Sequence, residues 1–257
     1  MNSLPILISI PHGGLKKPQE IIDRLCISDS DIFYDIDPYV VDIYNIGKKV
    51  QKIIITDIAR TFVDLNRSML DLPPNNPDGL IKSMTCYKKS IYHKQKAPDL
   101  ILTQQLIEKY YKPYHREIQK SIHDLNLQVC FDCHSMASVA PDISPDGNSK
   151  PRPLFCISNQ NGQTSSNEML KILGESISNS FSIKKEEISF NNPFKGGYIT
   201  KTYGNNPIPW IQIEMNRKMY LEKPWFDKEK MTIEKSRLQE LNKMFSKSME
   251  LFIEGIL

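Results

Sequence analysis

The sequence predicts an α/β fold: a single domain over residues 1–257, built on a mixed, largely parallel sheet with helices on both faces. Three observations lead there. Short β-rich apolar runs alternate along the chain with stretches of helical period, a pattern that layers helices on the faces of a sheet. The length of 257 residues suits one large α/β domain better than two small ones. No internal repeat, low-complexity tract or Ser/Gly linker divides the chain.

Taken in order, residues 4–10 read as a buried strand that stops at Pro11-His12-Gly13-Gly14. Asp37-Pro38 then opens a helix, with Asp37 as its N-cap and Val40, Val41, Ile43, Tyr44 and Val50 on its apolar positions. Residues 51–56 form a second strand and 62–65 a short third. Residues 70–98, rich in Pro and Asn and weakly patterned, read as a long loop of the kind that is frequently functional. Its Lys82, Tyr87 and Tyr92 either face a site or cover a sheet edge. From Asp99 the period turns helical, with Leu102, Leu106, Tyr110, Tyr114, Ile118, Ile122 and Leu125 on one stripe; Pro113 should kink or split it. Strands at 127–132 and 153–158, a helix at 169–181 and a strand at 208–214 follow. An amphipathic helix bearing Leu238, Leu241, Phe245, Met249 and Phe252 closes the chain.

Composition removes several function classes. A net charge of +3, from 33 basic and 30 acidic side chains, gives no electrostatic reason to expect nucleic acid as a partner. No apolar run approaches the ~18–20 residues of a membrane span. The first residues reach Pro11-His12 too soon for a signal peptide, so a cytoplasmic protein with reduced thiols is expected from the 5 cysteines. Cys130-Phe131-Asp132-Cys133-His134 fits the C-x-x-C-H pattern of haem attachment and half a zinc ribbon. Haem attachment belongs to exported chains, and Cys26, Cys86 and Cys156 are scattered singly. A strand through this segment would also put Cys130 and Cys133 on opposite faces. The thiols are therefore read as core residues, and only His134 as a site candidate.

Ligands of open α/β sheets sit beyond the carboxyl ends of the strands. Three predicted strands lead to His12, His134 and Glu214, and a fourth to Asn66-Arg67. Two imidazoles and a nearby carboxylate are the materials of a catalytic zinc site with an open position for water. Asp37 or Asp35 is the candidate third ligand, although an N-cap already accounts for Asp37. Glu214, a carboxylate in an apolar strand, suits the base that takes a proton from water. Arg60 and Arg67 stand out among basic residues that are mostly Lys, and their planar forks fit carboxylates.

These motifs occur together, in order, in a known family. Ser9-Ile10-Pro11-His12-Gly13-Gly14, the run Arg60-Thr61-Phe62-Val63-Asp64-Leu65-Asn66-Arg67, and Pro113-Tyr114-His115 are joined by Asp132-Cys133-His134-Ser135, Gly196-Gly197-Tyr198-Ile199-Thr200 and Gln212-Ile213-Glu214-Met215. The chain resembles the N-formylglutamate amidohydrolase family from near residue 6 to about Tyr220. The resemblance implies a zinc-carboxypeptidase-like (phosphorylase/hydrolase-like) fold, relatedness to the aspartoacylases, and hydrolysis of N-formyl-L-glutamate to formate and glutamate. It implies one Zn2+ per chain on His12, Asp37 and His134, with Asp35 in reserve, and Glu214 and Arg67 as catalytic groups. Leu15 stands where the wider carboxypeptidase pattern has a Glu ligand, so that ligand must come from elsewhere. Asn66, Arg67 and Arg60 would grip the substrate or polarise its carbonyl. Gly196 and Gly197 would let the backbone approach it, and Lys201 and Arg217 are weaker carboxylate partners. His115 recurs in the motif without a chemical role; a buried helix residue satisfied by hydrogen bonds is the plainer alternative. The implied partner is a small acidic N-acyl amino acid, and the family name suggests histidine catabolism. The alternatives are a deacylase of another N-acyl amino acid or small peptide, and a metal-free binding or regulatory protein on the same fold.

Overall fold

Residues Val129–Met136 form a strand, β3, buried along its whole length, as a strand must be at the centre of a sheet covered on both sides. The computed structural model describes residues 3–141, 144, 146 and 151–257. In it, β3 lies inside a 6-stranded sheet with β1 (Leu4–Ile10), β2 (Val50–Ile55), β4 (Phe155–Ser158), β5 (Ile188–Phe190) and β6 (Trp210–Asn216), in the order β2-β1-β3-β6-β4-β5. All neighbours run parallel except β4 and β6, which are antiparallel. The expectation of a mixed, largely parallel sheet holds.

The two faces are covered differently. Helices α2 (Val40–Tyr44), α5 (Asn167–Phe181) and α7 (Lys235–Ile256) pack on one, over Ile6, Ile8, Val129, Phe131, Cys133, Ile211 and Ile213. The other takes α3 (Leu100–Leu106), α4 (Lys112–Asp124) and the buried residues of the 58–92 segment, over Leu7, Cys130 and Trp210. Cys130 and Cys133 thus fall on opposite faces, and every cysteine is a free thiol. Among the described residues no helix is long and apolar enough to cross a membrane.

Several expectations need correction. Residues 62–65 are turns instead of a strand: Phe62 and Val63 N–H both donate to the Ala59 carbonyl and Asp64 N–H to that of Leu80. Their apolarity comes from packing of Phe62, Val63 and Leu65 into the core, which needs no sheet. Asp37 caps no helix, since α2 begins only at Val40, after Tyr39 at φ 61°. Pro113 divides its stretch without ending it: α3 and α4 are separated by a π segment instead of a loop. The residues before it, Ile107–Tyr111, widen into a π-turn in which Lys112 N–H donates to the Ile107 carbonyl. That shift of the ladder accommodates the donor that proline lacks. Strand β3 runs on past His134, and β6 past Glu214, so both residues stand inside the sheet instead of beyond it. Residues 70–98 carry no helix or strand, as expected. Helix α1 (Asp29–Asp35), helix α6 (Tyr198–Tyr203), β5 and the β7–β8 pair (Phe226–Asp227, Thr232–Ile233) were not anticipated.

Candidate active site

Side chains on a strand alternate between faces, so residues two apart share one. On β3 this puts Asp132 and His134 on the face of Leu7 and Cys130, and on β6 it pairs Gln212 with Glu214. The register sets Asp132 beside Gln212 and His134 beside Glu214. His12 arrives from the turn that follows β1, and its carbonyl accepts from Asp37 N–H at 3.0 Å. The Asp37 carboxylate then reaches back to Ser135 N–H at 3.1 Å. One backbone bond and one side-chain bond therefore bring three remote segments to one point.

At that point three donor atoms converge. His12 Nδ1 and His134 Nδ1 are 3.0 Å apart, and Asp37 Oδ2 lies 3.3 Å from His134 Nδ1 and 3.7 Å from His12 Nδ1. Zinc bonds of ~2.0–2.1 Å in tetrahedral array separate ligand atoms by about 3.3 Å, so the cluster could hold a metal ion. The outer nitrogens strengthen the fit. His12 Nε2 is 2.7 Å from Asp64 Oδ1 and His134 Nε2 is 3.1 Å from Asp132 Oδ2. Each carboxylate is placed to accept from Nε2–H, the tautomer that, in the neutral ring, turns the Nδ1 lone pair toward a metal. With both rings neutral, the two Nδ1 atoms 3.0 Å apart and the Asp37 oxygen offer three donors to a metal ion, which would displace the proton that otherwise bridges the imidazoles. Asp64 and Asp132 lay in the quoted motifs without an assigned role; the spacing of two from Asp132 to His134 was the readable signal.

The electrostatics follow from burial and partners. Burial alone would raise the Asp37 carboxyl, but hydrogen bonds from both histidines and the charge of Arg217 hold it well below the usual range. Burial likewise opposes ionisation of Asp64, and Arg60 and His12 overcome it. Burial would lower His134, yet Asp132 and Asp37 push it well above the ordinary histidine value. Glu214, 7% exposed, is pushed up to about 7, by burial first and by the Asp37 charge, against the pull of His134. Gln212 Nε2 donates to its Oε1 at 2.9 Å.

The cluster opens into a cavity of about 590 Å³ lined by Arg60, Asn66, Arg67, Gly196, Gly197, Glu214 and Arg217 among others. Arg60 Nη2 is 2.7 Å from Asp64 Oδ2, and Arg67 Nη2 is 3.1 Å from Asp78 Oδ2. Asn66 is tied into the wall: its Oδ1 accepts from Ile199 N–H and its Nδ2 donates to Asp132. Gly197 faces it so closely that a Cβ there would lie 2.3 Å from Asn66 Nδ2; Gly196, at φ +117°, occupies a conformation side chains rarely adopt.

The remaining candidates are held by other partners, although Asp35 and Arg217 also line the cavity. Asp35 points away from the cluster and binds Lys82, Thr61 and Cys86 N–H, so it does not join His12 and His134. Lys201 is exposed and not part of the cavity wall. Arg217 is spent on Asp37 Oδ1, Ser135 and the carbonyls of Tyr34 and Ile36, which makes it a brace for the carboxylate. His115 Nε2 donates to the Leu65 carbonyl and Nδ1 accepts from Tyr203 Oη, so the plainer reading describes it. In the 70–98 loop, Tyr87 lines the cavity, while Lys82 and Tyr92 are buried away from it. Arg152, unremarked in the sequence, also lines the cavity, bound to Asp146 and the Ala137 carbonyl. Only tertiary contacts reveal it.

Fold and site together define a class: an α/β protein with a histidine–carboxylate cluster at one end of its sheet, opening into an arginine-lined cleft. The family model described as N-formylglutamate amidohydrolase matches residues 4–221, and the chain belongs to that family. It is 25% identical to an N-formylglutamate deformylase of Pseudomonas putida over 232 residues, covering 85% of this chain and 82% of the relative. With the Pseudomonas aeruginosa N-formylglutamate deformylase it shares 24% over 228 residues, 85% of this chain and 83% of that one. The fold is similar to the crystal structure of N-formylglutamate amidohydrolase from Ralstonia eutropha JMP134, with a TM-score of 0.79 and 18% identity over 98% of this chain and 94% of that one. It is also similar to gene product Atu2144 from Agrobacterium tumefaciens, with a TM-score of 0.65 and 15% identity over 98% and 90%.

Proposed function

We propose that this chain is a zinc-dependent amidohydrolase that cleaves N-formyl-L-glutamate to formate and L-glutamate. The observation that carries the reading is the convergence of His12 Nδ1, His134 Nδ1 and Asp37 Oδ2 beside Glu214, at the floor of an arginine-lined cleft. The family adds the substrate, since its relatives are named for this reaction.

His12, Asp37 and His134 would hold one zinc, which when bound supplies a Lewis acid and a water of lowered pKa. Glu214 accepts the proton of the attacking water as its oxygen bonds to the formyl carbon. Glu214 then delivers that proton to the amine nitrogen as the C–N bond breaks. Arg60, held by Asp64, stabilises charge developing on the carbonyl oxygen, and Arg67 grips a substrate carboxylate. Asn66 keeps Asp132 and His134 in register, and Gly196 and Gly197 leave room for substrate against the backbone.

Elemental analysis of the purified chain, followed by an assay of formate released from formylglutamate with and without a chelator, tests this. One zinc per chain and release that stops with chelator and returns with zinc is the expected result. Release indifferent to the chelator refutes the metal role, and neither metal nor release favours a binding protein on the same fold. N-acetylglutamate as competitor tests the acyl group, since one methyl alters selectivity by about 1–3 kcal/mol.

A further inference from the structure

Lys82 is fully buried, and the reaction above gives it nothing to do. A lysine is found at such depth only when its charge is paired. Its Nζ lies 2.9 Å from Asp35 Oδ2 and 2.7 Å from Asp78 Oδ1, the second a charge contact without hydrogen-bond alignment. Burial would lower its pKa, but the Asp35 charge outweighs that and raises it. Asp35 does not depend on Lys82 alone, since it also accepts from Thr61 Oγ1 and Cys86 N–H. Asp78 does depend on its cations. One of its oxygens faces Lys82 and the other faces Arg67 Nη2, at 3.1 Å.

That sharing matters because the guanidinium groups of the cleft, which Lys195 joins at its rim, are each set against an acid. Arg60 is bound by Asp64, Arg152 by Asp146 and Arg217 by Asp37, with side chains 19%, 4% and 11% exposed. Arg67 is 34% exposed, which makes it the most accessible of the four guanidinium groups. Its nearest competitor for a substrate carboxylate is Asp78, with Asp64 Oδ2 farther off at 3.6 Å from Nε. Without Lys82, the whole charge of Asp78 would fall on Arg67, and the pair could close into a bidentate fork that the substrate must break.

We infer that Lys82 is a positioning residue for substrate capture: by sharing Asp78, it holds Arg67 in place and only partly neutralised, ready for a carboxylate. The inference rests on reading Arg67 as the carboxylate-binding group.

The test measures KM for formylglutamate and, independently of turnover, the Kd of glutarate by calorimetry on the metal-loaded chain. Lys82→Met is expected to raise both by about tenfold or more while kcat changes less than about threefold. Lys82→Arg should stay within about threefold of the parent, and so should Lys82→Met/Asp78→Asn, which removes the competing acid with the lysine. In an Arg67→Met background, Lys82→Met should add nothing. A loss of kcat at unchanged KM overturns the inference. So does an equal Lys82→Met effect with and without Arg67. If Lys82→Met does not fold, the Asp78→Asn double variant carries the test, and a tenfold weaker glutarate Kd there overturns the inference as well. A parent that binds glutarate in this pattern but releases no formate refutes the substrate reading and leaves Lys82 standing.

Discussion

The two faces of the central sheet are made by the same strands and do different things. On the face covered by α2, α5 and α7, Ile6, Ile8 and Ile10 of β1, Val129, Phe131 and Cys133 of β3, and Ile211, Ile213 and Met215 of β6 form an unbroken apolar surface. The opposite face starts the same way, with Leu7, Cys130 and Trp210, then changes toward the carboxyl ends to Ser9, Asp132, His134, Gln212 and Glu214. These five side chains are all buried, and each that carries charge has a partner within hydrogen-bond reach. One face contributes stability through area removed from water. The other spends some of that stability on polar groups held where chemistry needs them. Because neighbours on a strand point to opposite faces, the two roles should separate by single substitutions.

The largest separation is expected at Glu214. Glu214→Gln keeps volume and a hydrogen-bonding partner for Gln212, yet cannot take a proton. Formate release should fall by about 10²–10⁴, the typical worth of a general base, with zinc content and unfolding midpoint close to the parent. Near-full turnover would move the base elsewhere in the cleft.

Phe131 and Asp132 make the sharper comparison, since they are adjacent in sequence and face opposite ways. Phe131 packs on Phe252 with ring centroids 5.5 Å apart, so Phe131→Ala should cost about 3–5 kcal/mol in denaturant unfolding. The folded fraction should retain its zinc affinity. Asp132→Asn should do the reverse, weakening zinc about 10–100-fold through loss of the charge that orients His134, with the smaller stability change. If both variants lose zinc and stability in the same proportion, the two faces are not separable.

Much of this contrast was legible as sequence. Apolar runs ending in His or Glu mark strands that deliver polar groups, and they pointed to His12, His134 and Glu214; the run before Asn66-Arg67 pointed to Arg67 although it folds as turns. Asp37 was ambiguous because Asp before Pro also begins helices; only the geometry, with Tyr39 in a left-handed conformation, removes that option. Asp64 serves His12 across 52 residues, a pairing that no local pattern encodes. Helix α6, Tyr-Ile-Thr-Lys-Thr-Tyr, consists, Lys201 aside, of residues that favour strands, and its tertiary setting overrides that propensity. The turn at 62–65 is the converse, an apolar run whose burial comes from core packing without a sheet.

The smallest effect concerns His115, on the polar-capped side of the molecule. Burial, first of all, lowers its pKa from 6.5 to about 4, against the pull of the Leu65 carbonyl and Asp132. The folded state therefore resists a proton that the unfolded chain accepts. Its stabilising contribution is complete above about pH 6.5 and fades as pH falls from there toward about 4. Linkage with this shift predicts a loss of about 1 kcal/mol between pH 6.5 and 5.5. Other buried groups, His134 among them, also respond to pH. The measurement must therefore be a difference. His115→Gln keeps a donor for Leu65 and an acceptor for Tyr203 but does not titrate, and it leaves the His134 contribution in place. Urea unfolding of parent and variant across this interval should show the parent losing stability relative to the variant by that amount. Parallel pH curves would mean that His115 takes up its proton as readily folded as unfolded, and that the bonds to Leu65 and Tyr203 do not hold it neutral.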